Sequence, residues 1–82
     1  MKLFIKNIDR EINEAQLESL FVPYGEVVST KIVYDTITWE SKGFGFVEMG
    51  NKTEAYKAID ALNGKEVNGR ALIVDIAVEK RR

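Results

Sequence analysis

The sequence predicts an α+β domain of two layers, in which a four-stranded antiparallel sheet carries two helices on one face. Two segments repeat apolar residues with the helical period of 3.6, and four short segments have the composition of strands. These segments follow the order β-α-β-β-α-β, so the second half of the chain repeats the first. The sheet face opposite the helices therefore has no element left to cover it.

The first half of the chain contains two predicted strands and one helix. Residues 2–7 form a short apolar strand, and residues 26–34, rich in Val, Ile and Thr, form the second. Between them, residues 14–22 form a helix that starts with Asn13 as N-cap and Gln16 three positions later, the pattern of a capping box. A proline and a glycine follow and end the helix. Its apolar stripe consists of Leu17, Leu20, Phe21 and Tyr24.

The second half begins with a polar loop over residues 35–41, which contains the single tryptophan. Residues 42–49 form the third strand, which includes two glycines that we expect to let the helices pack closely on the sheet. Residues 54–62 form the second helix, with Thr53 as its predicted N-cap. The apolar stripe of this helix consists of Ala55, Ala58, Ile59 and Leu62.

The last part of the chain contains two turns, a strand and a basic tail. Asn63-Gly64 closes the second helix, and Asn68-Gly69 has the composition of a tight turn. Residues 70–77 form the last strand. We therefore place the domain at residues 1–78 and a short basic tail at residues 79–82.

The composition argues against several classes of function. The 82 residues contain no cysteine and no histidine, which removes disulfides, thiolate metal sites and the commonest general base. We therefore expect no enzyme activity, no metal and no cofactor. No apolar run approaches the roughly 18 residues that cross a membrane, so we expect a cytoplasmic location, with the nucleus as an alternative in a eukaryote. We also expect a monomer. The net charge of −1 argues against a nucleic-acid binder held by bulk positive charge.

Three phenylalanines are predicted to lie on the uncovered face of the sheet. Side chains alternate along a strand, and only one assignment gives each strand an aliphatic side for the core. This assignment exposes Phe4, Phe44 and Phe46, whereas the opposite one would bury Lys6 and Glu48 at high cost. An exposed cluster of rings is unusual in a soluble protein. Such rings suit unstacked nucleobases, each of which contributes on the order of 1–3 kcal/mol when stacked.

Lysines near these rings are candidates for contacts with phosphate groups. Lys6, Lys31 and Lys42 would supply such contacts, and Val33 is assigned to the same surface. The predicted helices are acidic, whereas the rest of the chain is mildly basic. This asymmetry indicates either an oriented binding face or ordinary solvated charge.

Two segments resemble the signature motifs of the RNA recognition motif family. Residues 3–8 (LFIKNI) are similar to the first-strand hexamer, and residues 42–49 (KGFGFVEM) match seven of the eight positions of the third-strand octamer. The resemblance extends over the whole chain and implies the ferredoxin-like sandwich and binding to single-stranded RNA without a cofactor. The small size is similar to that of stand-alone, single-domain members known from bacteria.

The resemblance also implies roles for individual residues. Phe4 and Phe46 would each stack a base, Phe44 would lie against the riboses, and Lys42 would contact a phosphate. Trp39 occupies a loop position where relatives often have glycine. Its ring would either reach a base or a partner, or fold onto the edge of its own loop.

The tail and two acidic residues modify the expected binding surface. Arg81, within the tail residues Lys80-Arg81-Arg82, would extend the phosphate contacts, unless the tail is a frayed end that aids solubility. Glu48 and Asp75 are expected near the open face, where they would repel phosphates and lower the affinity. Single-stranded DNA is a second candidate ligand, because stacking does not detect the 2′-hydroxyl.

Three alternative functions use a similar topology. A protein-binding variant of the fold usually lacks the sheet aromatics and carries Arg-x-Phe before the last strand, whereas this chain has Arg70-Ala71-Leu72. A copper chaperone would need a Cys-x-x-Cys motif, which is absent. An acyl-phosphate hydrolase would need a phosphate-binding loop after an early arginine, and no glycine loop follows Arg10.

Overall fold

The computed structural model describes residues 1–77 and confirms the predicted order of elements, with a small hairpin added. The elements are β1 (Lys2–Lys6), α1 (Glu14–Phe21), β2 (Val27–Tyr34), β3 (Ser41–Met49), α2 (Lys52–Leu62), β4 (Glu66–Val67), β5 (Arg70–Ala71) and β6 (Ile73–Ile76). The main sheet has the strand order β2-β3-β1-β6, and all neighbouring strands are antiparallel. The strands β4 and β5 form a separate antiparallel hairpin. The predicted boundary at residue 78 and the tail lie outside the described residues.

Helix α1 begins with the predicted capping box. The side-chain oxygen of Asn13 accepts a hydrogen bond from the backbone N–H of Gln16 at 2.8 Å, and the Gln16 side chain accepts one from the backbone N–H of Asn13 at 2.9 Å. These bonds satisfy donors that the start of a helix leaves unpaired. The helix ends at Phe21 and continues as one 3-10 turn, Val22–Tyr24, which contains Pro23.

Helix α2 begins two residues earlier than predicted, with Asn51 rather than Thr53 as its N-cap. The side chain of Asn51 accepts a hydrogen bond from the backbone N–H of Glu54 at 3.0 Å. Thr53 therefore lies within the first turn of the helix. Asn and Thr are both good N-caps, so residue type alone does not decide between the two positions.

The predicted last strand is divided at Leu72 into β5 and β6. Leu72 is buried, its N–H donates to the carbonyl of Lys65 at 2.9 Å, and its carbonyl accepts from the N–H of Gly64 at 2.7 Å. These bonds pair Leu72 with the segment that follows α2. The hairpin turn has Asn68 at φ 53° and Gly69 at φ 83°, the conformation that a two-residue type I′ turn requires. The turn prediction is confirmed.

The core lies between the two helices and one face of the main sheet. Leu3 and Ile5 of β1 and Val47 and Met49 of β3 are fully buried on this face. The predicted assignment of the strand faces is therefore confirmed. Among residues 1–77, no helix has the length and apolar character to cross a membrane. The helices contribute buried residues from both predicted stripes: Leu17, Phe21, Ala55, Ala58 and Leu62.

Gly45, in the middle of β3, lies against the backbone of β2. A Cβ atom at this position would collide with the carbonyl oxygen of Lys31 and crowd the Cα of Ile32. The close approach of two strands therefore explains this glycine, whereas the sequence prediction attributed it to close packing of a helix. The β2–β3 register shifts between Ile32 and Tyr34, and the N–H of Ile32 donates to the Glu14 side chain of α1 at 2.9 Å.

Candidate nucleic-acid interface

The face of the main sheet that no helix of residues 1–77 covers, here called the open face, is organised in three rows across the strands. The middle row contains Lys31 on β2, Phe46 on β3, Phe4 on β1 and Asp75 on β6. Residues paired in this way have neighbouring side chains on the same face. In one flanking row Phe44 pairs with Lys6 and Lys6 with Ile73, while in the other Glu48 pairs with both Ser29 and Lys2.

The three phenylalanine rings form one cluster at the centre of the open face. The rings of Phe4 and Phe46 lie nearly parallel, with centroids 5.1 Å apart and an interplanar angle of 20°. Phe44 meets Phe4 edge-on, at 5.8 Å and 81°. Both distances are within the range of favourable aromatic contacts. The rings therefore hold one another in place while each stays only half-buried.

Lysines surround the ring cluster. The Nζ atom of Lys6 lies 5.7 Å from the centroid of Phe4, and that of Lys2 lies 5.5 Å from the centroid of Phe46. Both distances allow a cation–π attraction. Lys31 pairs with Phe46 from β2 and is exposed. Lys2 was missed in the sequence, although strand alternation puts it on the same face as Phe4.

Two carboxylates lie on the open face, as the sequence predicts. Asp75 pairs with Phe4, and Glu48 pairs with Lys2. Half-buried Val33 lies at the register shift of β2. The open face therefore carries both signs of charge, which restricts the places where phosphate groups find only positive neighbours.

The β2–β3 loop holds Trp39 in an exposed position. The carboxylate of Asp35 accepts hydrogen bonds from the backbone N–H groups of Ile37 at 2.8 Å and Thr38 at 3.0 Å. The hydrogen bond from Thr38 lowers the pKa of Asp35 the most, and the bond from Ile37 lowers it further. The backbone N–H of Trp39 donates to the carbonyl of Asp35 at 2.9 Å. Trp39 has φ 62° and is 74% exposed, so its ring is not packed onto the loop.

A cleft of about 360 Å³ opens beyond Phe44, at the end of the sheet where β1 leaves and β3 begins. We call it the cationic cleft, because four positively charged side chains of the described residues line it. Lys6 and Lys42 were predicted as phosphate contacts, but Arg10 and Arg70 were not. The two arginines lie outside the strands of the main sheet, where no periodicity marks a shared position. The residues that line the cationic cleft are Lys6, Asn7, Ile8, Arg10, Lys42, Gly43, Phe44 and Arg70.

Arg81, the remaining predicted contact, lies outside the described residues. Its expected role in binding therefore stays a prediction.

Comparisons with known proteins find a matching family model and similar curated proteins. A family model described as the RNA recognition motif matches residues 3–73. The chloroplastic RNA-binding protein CP31B of Arabidopsis thaliana is 40% identical over 81 residues, which cover 99% of this chain and 28% of that protein. The chain spans about a quarter to a third of the length of the first curated relatives it matches.

Solved structures show the same fold. The crystal structure of RNA binding protein PG1 matches with a TM-score of 0.93 and 38% identity, covering 100% of this chain and 99% of that one. A structure described as the Sxl-lethal protein/RNA complex matches with a TM-score of 0.88 and 35% identity, covering 93% of this chain and 47% of that one. The ferredoxin-like prediction is thus confirmed, and the chain belongs to the RNA recognition motif family.

Proposed function

We propose that this domain binds single-stranded RNA on the open face, with bases stacked on Phe4 and Phe46. The observation that carries the proposal is the pair of nearly parallel rings, 5.1 Å apart, on a sheet face that no helix covers in the described part of the chain. Each stacked base contributes about 1–3 kcal/mol, so two stacks would supply about 2–6 kcal/mol. Membership of the family and the likeness to a protein/RNA complex support this assignment.

The neighbouring side chains would complete the binding surface. Phe44 stands edge-on to Phe4, and in this orientation it would contact riboses rather than stack a base. Lys6, Lys31 and Lys42 would contact phosphates from the exposed rim of the ring cluster. Val33 would add an apolar contact on β2.

Trp39 would stack a further base at the side of the sheet. Its exposure leaves the ring accessible, and its left-handed backbone conformation is a cost that a functional role would explain. Binding of single-stranded DNA, a monomeric state, a stand-alone architecture and a cytoplasmic location stay predictions. The relative CP31B is described as chloroplastic.

The proposal is tested by fluorescence anisotropy with labelled RNA octamers of random sequence. The double variant Phe4→Ala/Phe46→Ala should lose at least about tenfold in affinity, which corresponds to about 1.4 kcal/mol. Tyr56→Ala is the matched control, because it removes an aromatic ring that is 47% exposed on α2, away from the open face. This control should bind like the wild type.

The conservative variant Phe4→Tyr/Phe46→Tyr separates stacking from folding. Tyrosine keeps the ring, so its affinity should stay within about threefold of the wild type. Thermal unfolding of each variant shows whether the domain is folded at the assay temperature. Wild-type affinity in the folded alanine variant would contradict the proposal.

A further inference from the structure

We propose that the cationic cleft binds a backbone phosphodiester of the RNA strand where the strand leaves the open face, through Arg10 and Arg70. The inference rests on the proposed function, because Phe44 forms both the last ring of the cluster and one wall of the cleft. A ribose against Phe44 would bring its phosphate to the mouth of the cleft. The cleft volume of about 360 Å³ accommodates a phosphate group with its ribose.

Positive charge is concentrated in the cleft. Two arginines and two lysines line it, and two carboxylates, Asp9 and Glu40, lie within 4 Å of the arginines. Among the described residues, the four cations and the two carboxylates paired with the arginines sum to a net charge of +2, and a further carboxylate, Asp35, interacts electrostatically with Lys42. The other two rows of the open face have one lysine and one acid each, Lys31 with Asp75 and Lys2 with Glu48, and are neutral. A phosphate on this face is therefore drawn towards the cleft, although the whole chain has a net charge of −1.

Arg70 is already oriented for an anion. Its Nη1 atom donates to Oδ1 of Asn7 at 3.3 Å, and its Nε atom lies 3.8 Å from Oδ1 of Asp9. Asn7 is itself fixed, because its amide donates to the carbonyl of Ala71 at 2.8 Å. The Arg70 side chain is still 53% exposed, so several of its five N–H donors are open to a ligand. A guanidinium held in this way binds a phosphate at a low cost in side-chain entropy.

Arg10 lines the same cleft, and its ion-pair partner within residues 1–77 is weakly held. Its Nη1 atom lies 3.7 Å from Oε1 of Glu40, and the two side chains are 70% and 66% exposed. An ion pair this exposed contributes little in water, so a phosphate can replace the carboxylate. Glu40 follows Trp39 in the chain, so this ion pair brings the loop that carries Trp39 to the rim of the cleft. The cleft thus lies between the ring cluster and the proposed outer stacking position.

The test measures the salt dependence of binding with the same labelled RNA octamers, from about 50 to 400 mM NaCl. Each phosphate contact on a single strand contributes about 0.7 to the slope of log affinity against log salt, so Arg10→Gln/Arg70→Gln should lower the slope by about 1.4. Affinity near 100 mM NaCl should fall about tenfold. Lys52→Gln/Lys57→Gln removes two exposed charges from α2 and is the matched control. Equal effects of the two double variants would overturn the proposal.

A second variant tests whether a folding defect, rather than loss of a phosphate contact, causes the weaker binding of Arg10→Gln/Arg70→Gln. Glu40→Gln removes the competing carboxylate from Arg10 and should tighten binding about two- to threefold. A folding defect cannot produce a gain in affinity. Unchanged or weaker binding by Glu40→Gln would overturn the role of Arg10.

The remaining arms separate this proposal from its basis and identify the source of the phosphate. Phe4→Ala/Phe46→Ala leaves the cleft intact. If this variant loses affinity while Arg10→Gln/Arg70→Gln binds like its lysine control, the proposed function stands and this inference is refuted. Octamers with and without a 5′-phosphate should bind equally well if the ligand is an internal phosphodiester. A preference for the 5′-phosphorylated octamer that Arg10→Gln/Arg70→Gln abolishes would overturn the assignment to an internal group.

Discussion

Replacement of Trp39 by glycine should stabilise the domain and at the same time weaken RNA binding. Trp39 has φ 62°, in the left-handed region that costs a residue with a Cβ atom about 1–2 kcal/mol. Glycine avoids this cost but loses about 0.5–1 kcal/mol more conformational entropy on folding. The expected net gain is about 0.75 kcal/mol at the middle of these ranges, which should raise Tm by about 3–6 °C in a domain of this size.

The same substitution removes the proposed stacking surface of the loop. Because the ring is 74% exposed, its loss takes little packing from the domain. One lost base stack of about 1–3 kcal/mol should weaken binding of RNA octamers at least about fivefold. Ile37→Ala is the control, since it removes an aliphatic side chain that is 86% exposed in the same loop, and it should bind like the wild type.

Calorimetric unfolding and fluorescence anisotropy measure the two effects on the same samples. A higher Tm with unchanged affinity would show that Trp39 adds strain without contributing to binding. A lower Tm would refute the stability estimate, because the ring would then contribute packing that outweighs the backbone cost.

Two further predictions concern the caps of α2 and the β2–β3 loop. Asn51→Ala should lower the free energy of unfolding, measured by urea titration, by about 1 kcal/mol, because the Asn51 side chain accepts the N–H of Glu54 in the first turn. Thr53→Ala should change this free energy little, and equal effects of the two variants would contradict the assigned cap. The Asp35 carboxylate should titrate below its ordinary pKa of 3.8 when followed by NMR, because backbone N–H groups favour its charged form. The stabilisation from Asp35 should be complete above pH 3.8 and disappear as the pH falls through the lowered pKa, and a midpoint at or above 3.8 would be evidence against these hydrogen bonds.

Features that depend on a repeating pattern were predictable from the sequence. Alternation along β1 and β3 identified both the aliphatic core side and the three rings on the open face. The cap of α1 was also predictable, because Asn13 and Gln16 have the residue types and the spacing of a capping box.

Features that depend on contacts between distant segments were not predictable in the same way. The reason for Gly45 is the backbone of β2, and the break at Leu72 comes from hydrogen bonds to the segment after α2. Arg10 and Arg70 are 60 positions apart and meet in one cleft only after β1 has paired with β6 and the small hairpin has closed. The spacing of the two arginines in the sequence does not predict that they lie close together.

In β1 and β3, the residues that would recognise nucleic acid and the residues that hold the fold are immediate neighbours in the chain, yet lie on opposite sides of the sheet. A combinatorial library at the outward positions of these strands would therefore leave the hydrophobic core intact. Selection from such a library could change base preference while the scaffold keeps its stability. Gly45 is the position to leave constant, because any larger residue would push the two strands apart.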